Sequence, residues 1–316
     1  MTFLMRSQPL AIAISTATAI IVNSVVSPVL AGDPFRSNNP RDIGDKTEAA
    51  FEAIFLEGNY LEAKEHLVKA ESIEGDDPLV HAMIASLAFD DQEFDKMKTA
   101  SAKTISVAEN LQATDPLRAN LYLALGHFLE GAYVFKQEGA VSAIPRLQRV
   151  FQYLDAAEKI DGKDPEYNLL KGYLDLILAV NLPFSSPEEA IERFQKYGKP
   201  DYMVNRGIAT AYRDLYKQKV KAKQLSQGES LLAQAHVYLD KAIAASPENP
   251  ELMYLKGQFY LVQGKDTGNL TLVEKSIPYF EKAKAKEAQL PKNVLQSLNH
   301  DYLRVLPEQQ QLLGGN

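Results

Sequence analysis

The sequence has no cysteine, no tryptophan and only five histidines among 316 residues. Without cysteine there can be no disulfide, no thiolate nucleophile and no cysteine-ligated metal. The histidines (His66, His81, His127, His236 and His300) fall on different expected helices, so no histidine cluster is expected. Positive charge is also in deficit: 34 Lys+Arg face 41 Asp+Glu, and a net charge of −7 argues against nucleic acid as a partner. No G-x-S-x-G, H-E-x-x-H or G-x-x-x-x-G-K-[ST] run occurs, which removes the sequence signs of the common hydrolase, metalloprotease and nucleotide-binding sites. No stretch alternates apolar and polar residues as a half-buried strand would. The expectation is a chain with no catalytic residue, no cofactor and no metal.

What is present begins at the N-terminus. Arg6 precedes an apolar run from Leu10 to Val22, and Ser27-Pro28-Val29-Leu30-Ala31 follows. Val29 and Ala31 stand at −3 and −1 of a signal-peptidase site, so residues 1–31 read as a cleaved signal peptide. The alternative is an uncleaved anchor, because the run from Pro9 to Val26 nears the ~20 residues a spanning helix needs. Serines, threonines and Asn23 dilute that run. The expected address is the periplasm, with thylakoid lumen, secretion or membrane anchoring as alternatives. No stable membrane insertion is expected once the signal is removed.

Residues 32–43 carry two prolines and no apolar periodicity and are expected to form a flexible leader. From Asp45 onward the pattern is helical, interrupted by turn clusters at Gly75–Pro78, Thr114–Pro116, Asp161–Pro165, Lys199–Asp201 and Ser246–Pro250. Proline suits the first turn of a helix, where its fixed φ and missing N–H cost nothing. Clusters recurring at this spacing predict stacked helical hairpins near 44–77, 78–115, 116–164, 165–199, 200–249 and 250–290. An end helix over 291–306 and a frayed tail over 307–316 complete the chain.

Three segments carry a family resemblance. Gly58-Asn-Tyr-Leu-Glu-Ala63 with Leu67 and Ala70 resembles the second half of a tetratricopeptide (TPR) repeat. Tyr238-Leu-Asp-Lys-Ala242 and Tyr279-Phe-Glu-Lys-Ala283 resemble the second helix of that repeat. A close-approach register for the first helix runs through Phe51, Ala85, Gly126, Gly172, Gly207 and Gly257, at spacings of 34, 41, 46, 35 and 50. The excess over the TPR period falls between the two helices of a hairpin, on one rim. The whole chain is similar to exported TPR proteins of cyanobacteria. The resemblance implies an all-α, right-handed solenoid of about six irregular hairpins plus a C-terminal helix.

The resemblance also implies an interaction scaffold binding a protein or peptide partner rather than an enzyme. Carried onto this chain, the inner groove positions are Phe55, Phe89, His127, Tyr173, Tyr212, Tyr254 and Gln258, with Glu130 among them. Leu123, Leu169, Val204 and Tyr254 stand where some members clamp a carboxylate with Lys and Asn. The plainer reading is that these rings are inter-helix core, and the rim insertions are the rival site. A periplasmic small-ligand or glycan-binding protein is the alternative class, and an enzyme on an α-hairpin scaffold is a further one. Asp161–Glu166 has the look of a calcium loop but reads better as an inter-hairpin turn. Lys217, Lys219, Lys221 and Lys223 read as a solvated helix extension, or else as a contact for an anionic partner.

Overall fold

The computed structural model describes residues 32–181 and 187–313, with side chains described for 32–179 and 187–306. The expected signal peptide, residues 1–31, lies outside the described residues. Among those described there are thirteen α-helices and no strand. They are α1 (Asp45–Glu52), α2 (Tyr60–Ile73), α3 (Pro78–Asp90), α4 (Phe94–Asn110), α5 (Pro116–Glu138), α6 (Ala140–Asp161) and α7 (Pro165–Asn181). Then follow α8 (Pro187–Tyr197), α9 (Asp201–Lys221), α10 (Leu225–Ala245), α11 (Pro250–Thr267), α12 (Leu270–Lys284) and α13 (Lys292–Leu313). Helices neighbouring in sequence pack as pairs, α1 with α2 through α11 with α12. The terminal helix continues past Leu306 to Leu313, where a frayed tail was expected.

Local chemistry explains the helix starts. Asp77, Asp115 and Asn249 each precede a proline and cap a helix with their side chains. Asp77 Oδ1 accepts from the Leu79 amide at 2.8 Å, Asp115 Oδ1 from Arg118 at 2.9 Å, and Asn249 Oδ1 from Glu251 at 2.9 Å. Asp164 does the same before Pro165, accepting from Tyr167 at 2.8 Å. A capping carboxylate or amide satisfies an amide the helix leaves orphaned, and the proline removes another. The Asp161–Pro165 cluster is thus an inter-helix turn.

The second helix of each pair buries a stripe at i, i+4 and i+7. It reads Ala63-Leu67-Ala70 in α2, Met97-Ser101-Thr104 in α4, Val150-Leu154-Ala157 in α6, Ala235-Leu239-Ala242 in α10 and Ser276-Phe280-Ala283 in α12. In α8 the stripe is Ala190 and Phe194, while Tyr197 is exposed. Phe194 lies between Gly172 and Gly207, where an added Cβ would come within 2.6 and 2.7 Å of its ring. Two glycines therefore make room for one phenylalanine that joins α7, α8 and α9.

Two expectations change at this level. The residues 32–43 that lacked periodicity are anchored at several points. Phe35 is buried edge-on against Phe51 at 5.2 Å, and Ile43 is buried as well. Arg36 bonds to Asp33, Asp164 and Glu166, while Arg41 bonds to Asp115 and Glu166. The bonds to Asp115, Asp164 and Glu166 reach across more than seventy residues of sequence, so no local pattern announces them. The second change is that the two ends of the array meet. Hairpin one meets the last hairpins: Tyr60 Oη donates to Glu251 Oε2 at 2.7 Å, and Asn249 Nδ2 donates to the Leu56 carbonyl at 3.0 Å. Asn293 Nδ2 of α13 donates to Asp90 Oδ1 at 2.8 Å, and Gln92 bonds Gln296 at 3.0 Å. Hairpin one is thus bonded to α11, and α3 with its following turn to α13, across some 190 to 200 residues of sequence.

At Gly58 the bridge depends on glycine. A π-helical turn, Ala53–Glu57, ends there in the left-handed region, φ 67°. A Cβ would sit 2.4 Å from Asn249 Oδ1. No other residue meets both demands without strain.

Candidate functional site

The seven expected groove residues do not form one site. Phe55 is half-buried and tilts onto Phe51 at 4.7 Å. Tyr173 stands edge-on to Phe194 at 5.2 Å and donates to the Met203 carbonyl at 2.7 Å; burial pushes its phenol up to about 12. Tyr212 stacks on Tyr238 at 5.9 Å. Phe89, 39% exposed, sits at the C-terminal end of α3 beside the seam with α13. His127 is buried, stacks on Tyr153 at 5.6 Å and lies 3.2 Å from Glu130 Oε2. Burial holds its imidazole below the usual value, aided by Arg149 and Arg146 and opposed by Glu130. Phe55, His127, Tyr173 and Tyr212 thus pack on neighbouring rings, whereas Phe89 stays exposed.

Tyr254 and Gln258 are the pair that come together. Tyr254 Oη donates to Asp301 Oδ2 of α13 at 2.9 Å, and Gln258 Nε2 donates to both Tyr254 Oη at 2.6 Å and Asp301 at 3.0 Å. With Gln296, Ser297 and His300 they line a shallow cavity of about 380 Å³. Burial, with Asp301 adding, raises the Tyr254 phenol, so it stays a hydrogen-bond donor at neutral pH.

A second polar cluster lies at the seam. Arg206 of α9 pairs with Glu251 of α11, which also accepts from Tyr60. Asp90 nearby is pushed up to about 7, first by burial and then by Glu251 and Asp91, against Asn293 and Arg206. It is a structural joint: each group is satisfied by another part of the chain. Among the described residues no three His, Asp or Glu side chains gather as a metal site. No described helix is long and apolar enough to cross a membrane.

An exposed apolar surface lies elsewhere, at the tip of the α5–α6 hairpin. These two helices have 23 and 22 residues, longer than the α1–α2 and α3–α4 helices, and Gly139 alone joins them. The excess expected between the two helices of the third hairpin thus extends both helices rather than forming a loop. Phe128, Gly131, Phe135, Val141, Ile144 and Leu147 line a cavity of about 510 Å³, closed on one side by α7. Phe135 is 58% exposed, Val141 81% and Ile144 50%. Pro145 has no N–H to give the Val141 carbonyl, which loosens the first turn of α6. Arg146 and Arg149 line a separate cavity of about 290 Å³ with His127, Glu130 and Pro145. Arg146 bonds Glu130 at 3.3 Å, whereas Arg149 and Lys136 have no ion-pair partner among the described residues.

Val141, Ile144 and Leu147 follow the spacing of an ordinary buried stripe, so their exposure leaves no trace in the sequence. The four lysines at 217–223 do not focus charge. Lys217, Lys221 and Lys223 are exposed and Lys219 is half-buried, spread around the end of α9 and its turn. Comparison of the chain with protein-family models, curated proteins and solved structures finds no match.

Proposed function

We propose that this protein is an exported, non-catalytic scaffold that docks a partner protein on the rim of a TPR-like, right-handed array of hairpins. One observation carries the reading: the exposed apolar groove at the tip of the long α5–α6 hairpin. A large solvated apolar patch rimmed by polar residues marks an interaction surface. Two further features support the choice of rim over interior. The Tyr60–Glu251 and Asn249–Leu56 bonds tie hairpin one to the start of α11, and Phe55 and Tyr173, expected in the inner groove, pack against Phe51 and Phe194. The signal-like N-terminus supports a periplasmic address.

The test is a photo-crosslinking amino acid placed at Val141 or, separately, at Tyr173, in the native host, with mass spectrometry of the adducts. The expected outcome is a protein adduct from position 141 and none from 173. Adducts only from 173 would return the site to the inner face, and no adduct from either would refute the scaffold.

A second reading rests on the Tyr254–Gln258–Asp301 cavity. A fixed carboxylate, amides and a phenol suit a polyhydroxylated small ligand. Native mass spectrometry of protein from its host would show retained sugar if this reading holds.

A further inference from the structure

We infer that cleavage before Gly32 turns the Gly32 nitrogen from an amide into an ammonium that pairs with Glu48, latching the leader to α1 in the processed chain. This step rests on the exported reading above and gives the cut a structural consequence.

The contact stands at the atom where the cut is expected. Val29 and Ala31 place cleavage before Gly32. The Gly32 nitrogen donates to Glu48 Oε2 of α1 at 3.0 Å. The residues that follow hold that nitrogen in place. Asp33 is buried and accepts from the Phe35 amide at 2.8 Å, the Arg41 amide at 3.1 Å and the Arg36 guanidinium at 2.8 Å. Phe35 in turn is buried against Phe51 of α1.

Glu48 lacks a cation. It is half-buried and has no ion-pair partner among the described residues. Burial pushes its carboxyl above the ordinary value, the Gly32 bond pulls it down, and Glu52 and Asp45 push it up again. Tyr202 of α9 is near the same carboxylates: burial, then Glu52, Tyr173 and Glu48, raise its phenol. The neighbouring cations are engaged elsewhere. Arg36 and Arg41 of the leader pair with Asp33, Asp115, Asp164 and Glu166, and Lys46 of α1 acts on Glu74.

Hydrolysis supplies the missing charge. Water breaks the Ala31–Gly32 bond, its oxygen joining the Ala31 carbonyl carbon and its two protons the Gly32 nitrogen. The products are a carboxylate on Ala31 and an ammonium on Gly32. A free α-amine titrates at about 7.7–8.0, so it is mostly charged at pH 7. A carboxylate within hydrogen-bond reach favours that charged form and raises its pKa. The stability gained is complete below the unfolded value and is lost as pH rises through the folded one.

The experiment uses protein purified from the exported fraction of cells carrying the whole gene, its first residue read by N-terminal sequencing. Trace acetylation with acetic anhydride, from about pH 6 to 10, is followed by mass on the tryptic peptide Gly32–Arg36. It reports the pH at which the amine loses its proton. The folded midpoint should lie at least about one unit above that of the same protein in denaturing urea, which serves as the internal reference. Glu48→Gln, checked for folding by circular dichroism, should return the folded midpoint to the urea value. Glu52→Gln should lower it by less. Equal midpoints in the folded and urea-unfolded protein overturn the inference while export stands. A first residue other than Gly32 also overturns it, and Met1 in that place removes the exported reading as well.

Discussion

Asp90 shows how a single carboxylate couples the two ends of this array. It sits between α3 and α13, with Glu251 and Arg206 from α11 and α9 close by, and burial lifts it to about 7. Its unfolded value is about 3.9, so the folded state holds the proton more tightly than the unfolded chain. The stability it contributes is complete below the unfolded value and is lost as pH rises through 7. Melting temperature should therefore fall between pH 5 and pH 8. Asp90→Asn keeps an acceptor for Asn293 and removes the titration, so it should flatten that profile and raise stability at pH 8 by about 1–3 kcal/mol. An unchanged profile would show that Asp90 is not held as described. Gly126 offers a second residue-scale test. A Cβ there would stand 2.6 Å from Ile105 Cγ1 and 3.2 Å from the Ile105 backbone nitrogen. Gly126→Leu should thus cost on the order of 1–3 kcal/mol by overpacking, measured by thermal melting.

At the scale of elements, the leader is the part of the chain whose behaviour the sequence concealed most. Arg36 and Arg41 satisfy Asp115, Asp164 and Glu166, two of which cap helices and one of which is fully buried. Removing residues 32–43 would strip Glu166 of both arginines and leave it the Tyr122 hydroxyl and the charge of Arg118. Unpairing a buried charge costs about 3–5 kcal/mol. Urea unfolding of the protein beginning at Gly44 should show a loss of that order, and an undiminished midpoint would refute the strap. The contrast with the helices is instructive. Asp-Pro and Asn-Pro pairs are local signals, and they mark where α3, α5, α7 and α11 begin. The glycine register was legible too, since a missing side chain at a crossing leaves a periodic trace. The leader's contacts, the seam at Tyr60 and Glu251, and the exposure of Val141 depend on residues far apart in sequence. Composition and period carry no record of them. For the same reason Tyr173 and Tyr212 read equally well as groove or core, and only their neighbours, Phe194 and Tyr238, decide.

At the scale of the whole described array, the first and last hairpins are bonded to each other, and the proposed docking surface lies apart from that seam, at the α5–α6 tip. The absence of native cysteine allows a clean test. Gln92 and Gln296, exposed and bonded across the seam at 3.0 Å, can each be changed to cysteine and joined by a short bismaleimide. The decisive measurement is the yield of protein adducts from a photo-crosslinking residue at position 141 in this locked protein, beside the unlocked one. The account predicts efficient joining of the two cysteines and an undiminished adduct yield in the locked protein. Failure of the cysteines to join, or loss of the adducts on locking, would contradict it.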